Sequence, residues 1–197
     1  MHEPRVKHGL GLSYAVSPTG ADHIHAIHDV SYVNPTPRMK QLGLLEGVPA
    51  LELSPAKVRL SLYEILLNTL YNDLVLCNAP RIPYRFDIRK IERAIAGATG
   101  WDMTSWELVK AAERSVTMAR VFNLREGLGA EDDVLPSRFF SGLEGSPGSR
   151  PLEEERFAEA VSLFYEMLGW DGRTGVPTRG KLEELGIGWT WDQIQGI

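Results

Sequence analysis

The chain has 197 residues, 43% of them hydrophobic and 24% charged, enough for one domain or two small lobes around a real core. With Lys+Arg 21 against Asp+Glu 26 the formal charge is −5, a sign that offers no general attraction to nucleic acid or anionic membrane. No apolar run approaches the ~20 residues that span a bilayer. The start, Met1 to His8, has no stretch of signal-peptide length, so the cytoplasm is the expected location. Cys77 is the single cysteine, which excludes a disulfide within one copy and a metal site built from cysteine alone.

In chain order, the first fifty residues are punctuated by Gly9, Gly11, Pro18, Gly20, Pro35, Pro37, Gly43, Gly47 and Pro49. Glycine frees φ and proline removes an amide donor, so this stretch predicts a loop-rich arm with at most a short helix from Gly20 to His28. At Ser54 the pattern changes. Ser54 and Pro55 are suited to a helix start, and Val58, Leu62, Ile65, Leu66, Leu70 and Val75 recur at helical spacing. A central buried helix running toward Cys77 follows, and Pro80 and Pro83 in the next segment turn the chain away.

A second helix is expected over about Asp87 to Ala96, with Ile88, Ile91 and Ile95 on one stripe. Thr104 and Glu107 have the spacing of a capping box. The helix they open should reach about Phe122, with Leu108, Ala112, Val116, Ala119 and Phe122 inward and Lys110, Glu113, Arg114 and Arg120 outward. Glu126 to Arg150 is a loop. Pro151 opens a helix that buries Phe157, Val161, Phe164 and Leu168 and stops at Gly169, and Thr178 to Leu185 is the last. The fold class is all-α, divided as a Gly/Pro-rich arm over residues 1–53 and a helical domain over 54–197.

The chemistry-bearing residues are ambiguous by themselves. All five histidines fall within the first 28 residues, and His23, His25 and His28 are spaced so that a short helix would present two together, as a metal site needs. Such short motifs more often mark surface or core histidines. Cys77 reads as a small buried hydrophobe, as a nucleophile lacking any local signature, or as one ligand of a cluster completed elsewhere. Gly9 and Gly11 lack the strand–turn–helix context of a phosphate loop. Arg114, Arg120 and Arg125 would either face an anion or form a solvated face. The tryptophans at 101, 106, 170, 189 and 191 read as packing residues.

Several stretches, taken together and in order, resemble the aldehyde:ferredoxin oxidoreductase family. They are Gly9 to His23, Ala98 to Thr104, Glu113 to Gly127, Asp132 to Arg138, Tyr165 to Asp171, Gly175 to Thr178 and Leu182 to Gly186. The resemblance covers nearly the whole chain and is to the C-terminal, helical part of that family. It implies a helical domain packed against a tungsten (or molybdenum) bis-pterin centre beside a 4Fe–4S cluster. In that family an aldehyde is oxidised to a carboxylic acid and the electrons pass to ferredoxin.

Residue by residue, the resemblance places Cys77 as the fourth cluster cysteine, closing an Asp-x-x-Gly-Leu-Cys pattern that reads here Asn72-Asp73-Leu74-Val75-Leu76-Cys77. Asn72 stands where the family has a pterin-binding aspartate, with Asp73 one position on, and Val75 replaces the glycine. Glu3-Pro4-Arg5-Val6 stands where the family has Asp-Pro-Arg-Gly. The cofactor-binding set implied is thus Glu3, Arg5, Asn72, Asp73, Leu76 and Cys77, with Cys77 the metal ligand. The other three cluster cysteines of the family lie upstream of Glu3's equivalent. The chain is therefore expected to be incomplete as an enzyme, with an N-terminal portion or a separate subunit supplying them. The alternative is a non-catalytic helical scaffold derived from the family.

Overall fold

A computed structural model describes residues 2–77 and 88–196 of the chain. Among them the regular elements are helices: α1 (His8–Val16), α2 (Pro37–Gln41), α3 (Pro55–Asp73), α4 (Ile88–Thr99), α5 (Ser105–Arg125), α6 (Glu154–Met167) and α7 (Arg179–Glu184), with short 3-10 turns between them. The only β feature among the described residues is an isolated bridge between Trp170 and Pro177. The all-α expectation therefore stands. The turn anticipated over Asn78 to Pro83 and the start of α4 at Asp87 lie outside the described residues.

Helix α3 is the axis of the molecule, packing against α1, α5 and α6. Ser54 stands at its N-cap position and Pro55 at its first turn, where proline's missing amide costs nothing. Its apolar face meets Leu12, Ala15 and Val16 of α1, Leu108, Ala112 and Val116 of α5, and Phe157, Val161 and Phe164 of α6 in one core. A smaller cluster joins Leu60 to Ile27, Tyr32, Met39, Leu44 and Val48 of the N-terminal segment. A third holds α7 and the chain end on α5 through Val121, Leu124, Leu182, Leu185, Ile187 and Ile194. The expected capping box is present: Thr104 Oγ1 accepts from Glu107 N at 3.3 Å while Thr104 N donates to Glu107 Oε2 at 2.8 Å.

Several expectations are corrected. The helices of the N-terminal segment are α1 and the short α2, not residues 20–28, which run as turns. Gly9 and Gly11 sit inside α1, and a Cβ on Gly9 would meet Asp29 and Lys57 at 2.7 Å each. Glycine serves close packing there, not phosphate binding. Pro151 precedes its helix by three residues, α6 starting at Glu154.

The face assignment of α5 also changes. Phe122 is 55% exposed, whereas Glu113 and Arg120 are buried. Arg120 donates to Asp133 at 2.7 Å and to the Gly175 carbonyl at 3.0 Å, and it lies over the Tyr165 and Trp170 rings. A buried, paired guanidinium reads as surface to any argument from periodicity. Of the tryptophans, Trp170 is buried but Trp101, Trp106 and Trp189 are largely exposed.

Candidate functional site

The C-terminal end of α3 is built by the sequence Tyr71 to Cys77. After Asp73 the chain closes with two crossed bonds, Val75 N to the Asn72 carbonyl at 2.9 Å and Leu76 N to the Tyr71 carbonyl at 2.8 Å. This pattern requires its penultimate residue in the left-handed region, and Val75 has φ +56°. A β-branched residue is strained there. This is the position at which the resemblance leads one to expect a glycine.

The turn lifts the chain off the core. Val75 is 92% exposed, Leu76 is half-exposed and Cys77 is exposed. Helix α3 thus ends four residues before the cysteine, and the reading of Cys77 as a buried hydrophobe is corrected. Asp73 is held at the same end, accepting from Ser115 Oγ of α5 at 2.8 Å, with burial pushing its carboxyl above the ordinary carboxylate value. The Asn72 amide nitrogen meets His25 Nε2, and Asn68 donates to the His25 carbonyl at 2.8 Å.

Glu3 and Arg5 form a second group. Glu3 accepts from the Arg5 backbone amide and from Arg5 Nε, both at 3.0 Å. Partial burial pushes the Glu3 carboxyl up, but the Arg5 hydrogen bonds and charge win, and its pKa lies below the usual glutamate value. Arg5 itself is buried, donates to the Arg138 carbonyl at 3.0 Å and lies over the Phe139 ring. Its donors are committed within the chain. Glu3 keeps spare lone pairs, since an ionised carboxylate has roughly four acceptor sites.

The histidine segment links the two groups. His2, beside Glu3, stacks on His23 at 4.4 Å between ring centroids and meets His28 edge-on at 4.9 Å, while His25 reaches Asn72. Among the described residues no group of three or more His, Cys, Asp or Glu side chains could hold a metal ion. This overturns a site made of His23, His25 and His28: His25 points to α3, away from the other two rings. Cys77 likewise belongs to no such group among the described residues.

Arg114, Arg120 and Arg125 do not share a site: each has its own partner within the protein. Arg114 donates to the Leu185 carbonyl at 2.6 Å and Arg125 pairs with Glu126. Ser115, which holds Asp73, escaped sequence reasoning, and His25, which holds Asn72, was weighed only as a metal-site histidine. His25 carried only the general signal of a histidine-rich segment, and Ser115 carried none.

The family model for aldehyde ferredoxin oxidoreductase, domains 2 and 3, matches residues 1–187. Tungsten-containing aldehyde ferredoxin oxidoreductases of Pyrococcus furiosus and Thermococcus kodakarensis are 30% and 31% identical over 94% of this chain. The chain spans only 29% of the length of each. An aliphatic sulfonate oxidoreductase, WOR-like subunit, from P. furiosus is 30% identical over 67% of the chain and 22% of its own length. Among solved structures, the active site complex BamBC of benzoyl coenzyme A reductase superposes with a TM-score of 0.60 at 23% identity. It covers 82% of this chain and 24% of that one, a likeness of fold.

Proposed function

Because this chain belongs to the aldehyde ferredoxin oxidoreductase family, we propose that it forms the helical wall of a tungsten- or molybdenum-pterin, iron–sulfur oxidoreductase that converts an aldehyde to a carboxylic acid and passes electrons to ferredoxin. The remaining portion of the site, with three further cluster cysteines, comes from residues outside this sequence, on the same or a separate chain. One observation carries the reading: the lone cysteine stands exposed on a turn at the end of the central helix, flanked by the polar Asn72 and Asp73. A cysteine retained only for packing would be buried.

The donor set suits such a group in part. Cys77 would supply one thiolate to a 4Fe–4S cluster, which takes four. The Asn72 amide and the Asp73 carboxylate would offer a donor and an acceptor to the edge of a pterin, and Leu76 an apolar contact. Glu3 would accept from pterin N–H groups with its spare lone pairs. Arg5 acts through Glu3, fixing its carboxylate while remaining buried itself. The bound pterin–metal centre supplies the redox chemistry: the aldehyde and one water yield the acid, two electrons and two protons. The chain's own work is to orient the cofactor edge, to exclude water with apolar side chains and to provide an exit for protons.

The test is metal analysis of the complete protein purified anaerobically from its native host. Tungsten or molybdenum together with iron is expected, and Cys77→Ala should lose most of the cluster iron while the helical content of this chain is unchanged. A metal-free, colourless complete protein would reject the reading and leave a helical scaffold derived from the family.

A further inference from the structure

Helix α3 carries a polar stripe that the proposed chemistry leaves unexplained. Lys57, Ser61, Glu64 and Asn68 are spaced four, three and four residues apart, which puts them on one face, and each is fully buried. Asn72 continues the stripe to the cofactor-facing end. From Lys57 to Asn72 it runs about 23 Å.

The stripe is anchored at both ends. At its start Lys57 pairs with Asp29, both with no exposed side-chain surface, and Asp29 also accepts from Gly9 N at 2.9 Å and Leu10 N at 3.0 Å. His8, the first residue of α1, feels the charges of Asp29 and Lys57 and lines an open cleft of about 520 Å³ with Ser54, Val58 and Glu153. At its far end Asn68 and Asn72 hold His25. Along the middle, Ser61 Oγ and Asn68 Oδ1 are buried with no hydrogen-bond partner among the described residues, on either side of Glu64. Buried polar atoms are rarely left so; ordered water is the usual partner.

We propose that this seam is a hydrated proton path, in which internal waters bridge Ser61, Glu64 and Asn68 and connect the His8 cleft with Asn72 at the cofactor-facing end of α3. The conducting role rests on the oxidoreductase reading, since aldehyde oxidation releases protons that must leave a site closed to bulk water. Each hop breaks one O–H bond and forms another on the next oxygen; no electron moves and no co-reactant is consumed. Glu64 is the relay, able to take a proton from one water and return it to the next.

Two measurements test the path. Oxygen-17 magnetic relaxation dispersion on the 197-residue chain counts waters with long residence times. The wild type should hold at least two more than Ser61→Ala/Asn68→Leu, whose near-isosteric side chains preserve the fold as checked by circular dichroism. Equal counts would overturn the hydrated seam. In the complete enzyme, Glu64→Gln should slow single-turnover proton release at least tenfold, with metal content and KM unchanged. Release at the wild-type rate would overturn conduction even if the waters are present. A complete protein without metal sinks the oxidoreductase reading and the conducting role together, whereas the water count decides the hydration independently.

Discussion

Val75 shows how much one backbone angle can hold. The crossed bonds that end α3 need a left-handed residue at this position, the place glycine takes at many helix ends. Valine occupies it with φ +56° and almost no contact to offset the strain, since its side chain is 92% exposed. Val75→Gly should therefore raise stability by about 1 kcal/mol, the size of the steric cost of a left-handed L-residue less the entropy of the added glycine. Urea denaturation would read this as a higher midpoint at unchanged slope. A lower midpoint would mean that the turn is held by something other than its local bonds. Because the same turn presents Cys77, the substitution also tests whether the valine is kept for the site at the expense of stability.

At the scale of elements, α7 is too short to be stable alone and owes its place to α5. Leu182 and Leu185 pack on Val121 and Leu124, and a ring of charges closes over them. Lys110 and Lys181 both reach Glu113 at 2.7 Å, and both reach Glu184, at 2.8 and 3.0 Å. The hydrogen bonds from Lys110 and then Lys181 hold the Glu184 carboxyl below its ordinary value of 4.5. The folded state therefore binds this proton less readily than the unfolded one. The stabilisation is present above pH 4.5 and is lost as pH falls through the lower, folded-state pKa. Glu184→Gln should flatten the acid limb of the melting-temperature profile, modestly because the carboxylate is part-exposed and screened by salt. An acid limb identical to wild type would assign the loss to other carboxylates.

For the molecule as a whole, exposed apolar side chains stand beside the polar site residues at the end of α3. Ile24, Val75, Leu76, Met118 and Phe122 are all substantially exposed. Ile24 lies beside His25, which touches Asn72. Met118 follows Ser115 by three residues on α5, and Phe122 lies a turn further. Exposed apolar side chains of this kind suit a surface that another part of the assembly proposed above would cover. Met118→Glu/Phe122→Glu should leave the unfolding free energy of the chain within about 0.5 kcal/mol of wild type, as expected of surface sites. In the complete protein the same double variant should expose Cys77 to thiol reagents and weaken the association. An unchanged labelling rate would place the covering surface elsewhere.

What was legible in the sequence follows from locality. The start of α3, the capping box of α5, the interior stripes of α3, α4 and α6 and the all-helical class rest on contacts within a few residues, and periodicity and end signals record those. The order of short motifs was enough for the family. Sequence alone also placed Cys77 close to a helix end, because an apolar run stopped just before it.

The tertiary structure decided what depends on partners distant in the chain. Arg120 and Glu113 are buried because Asp133 and Lys181 come to meet them, and no local pattern marks a charge whose partner arrives from another element. Gly9 and Gly11 lie in a helix because Asp29 caps two amides of α1 from twenty and nineteen residues away, turning glycines that read as loop into a close-packing surface. The polar seam of α3 is the same case. Periodicity marked only the apolar residues of α3 and left Lys57, Ser61, Glu64 and Asn68 unremarked; they are buried because α1 and the histidine segment fold over them, since burial is a property of the assembled elements and not of the residue.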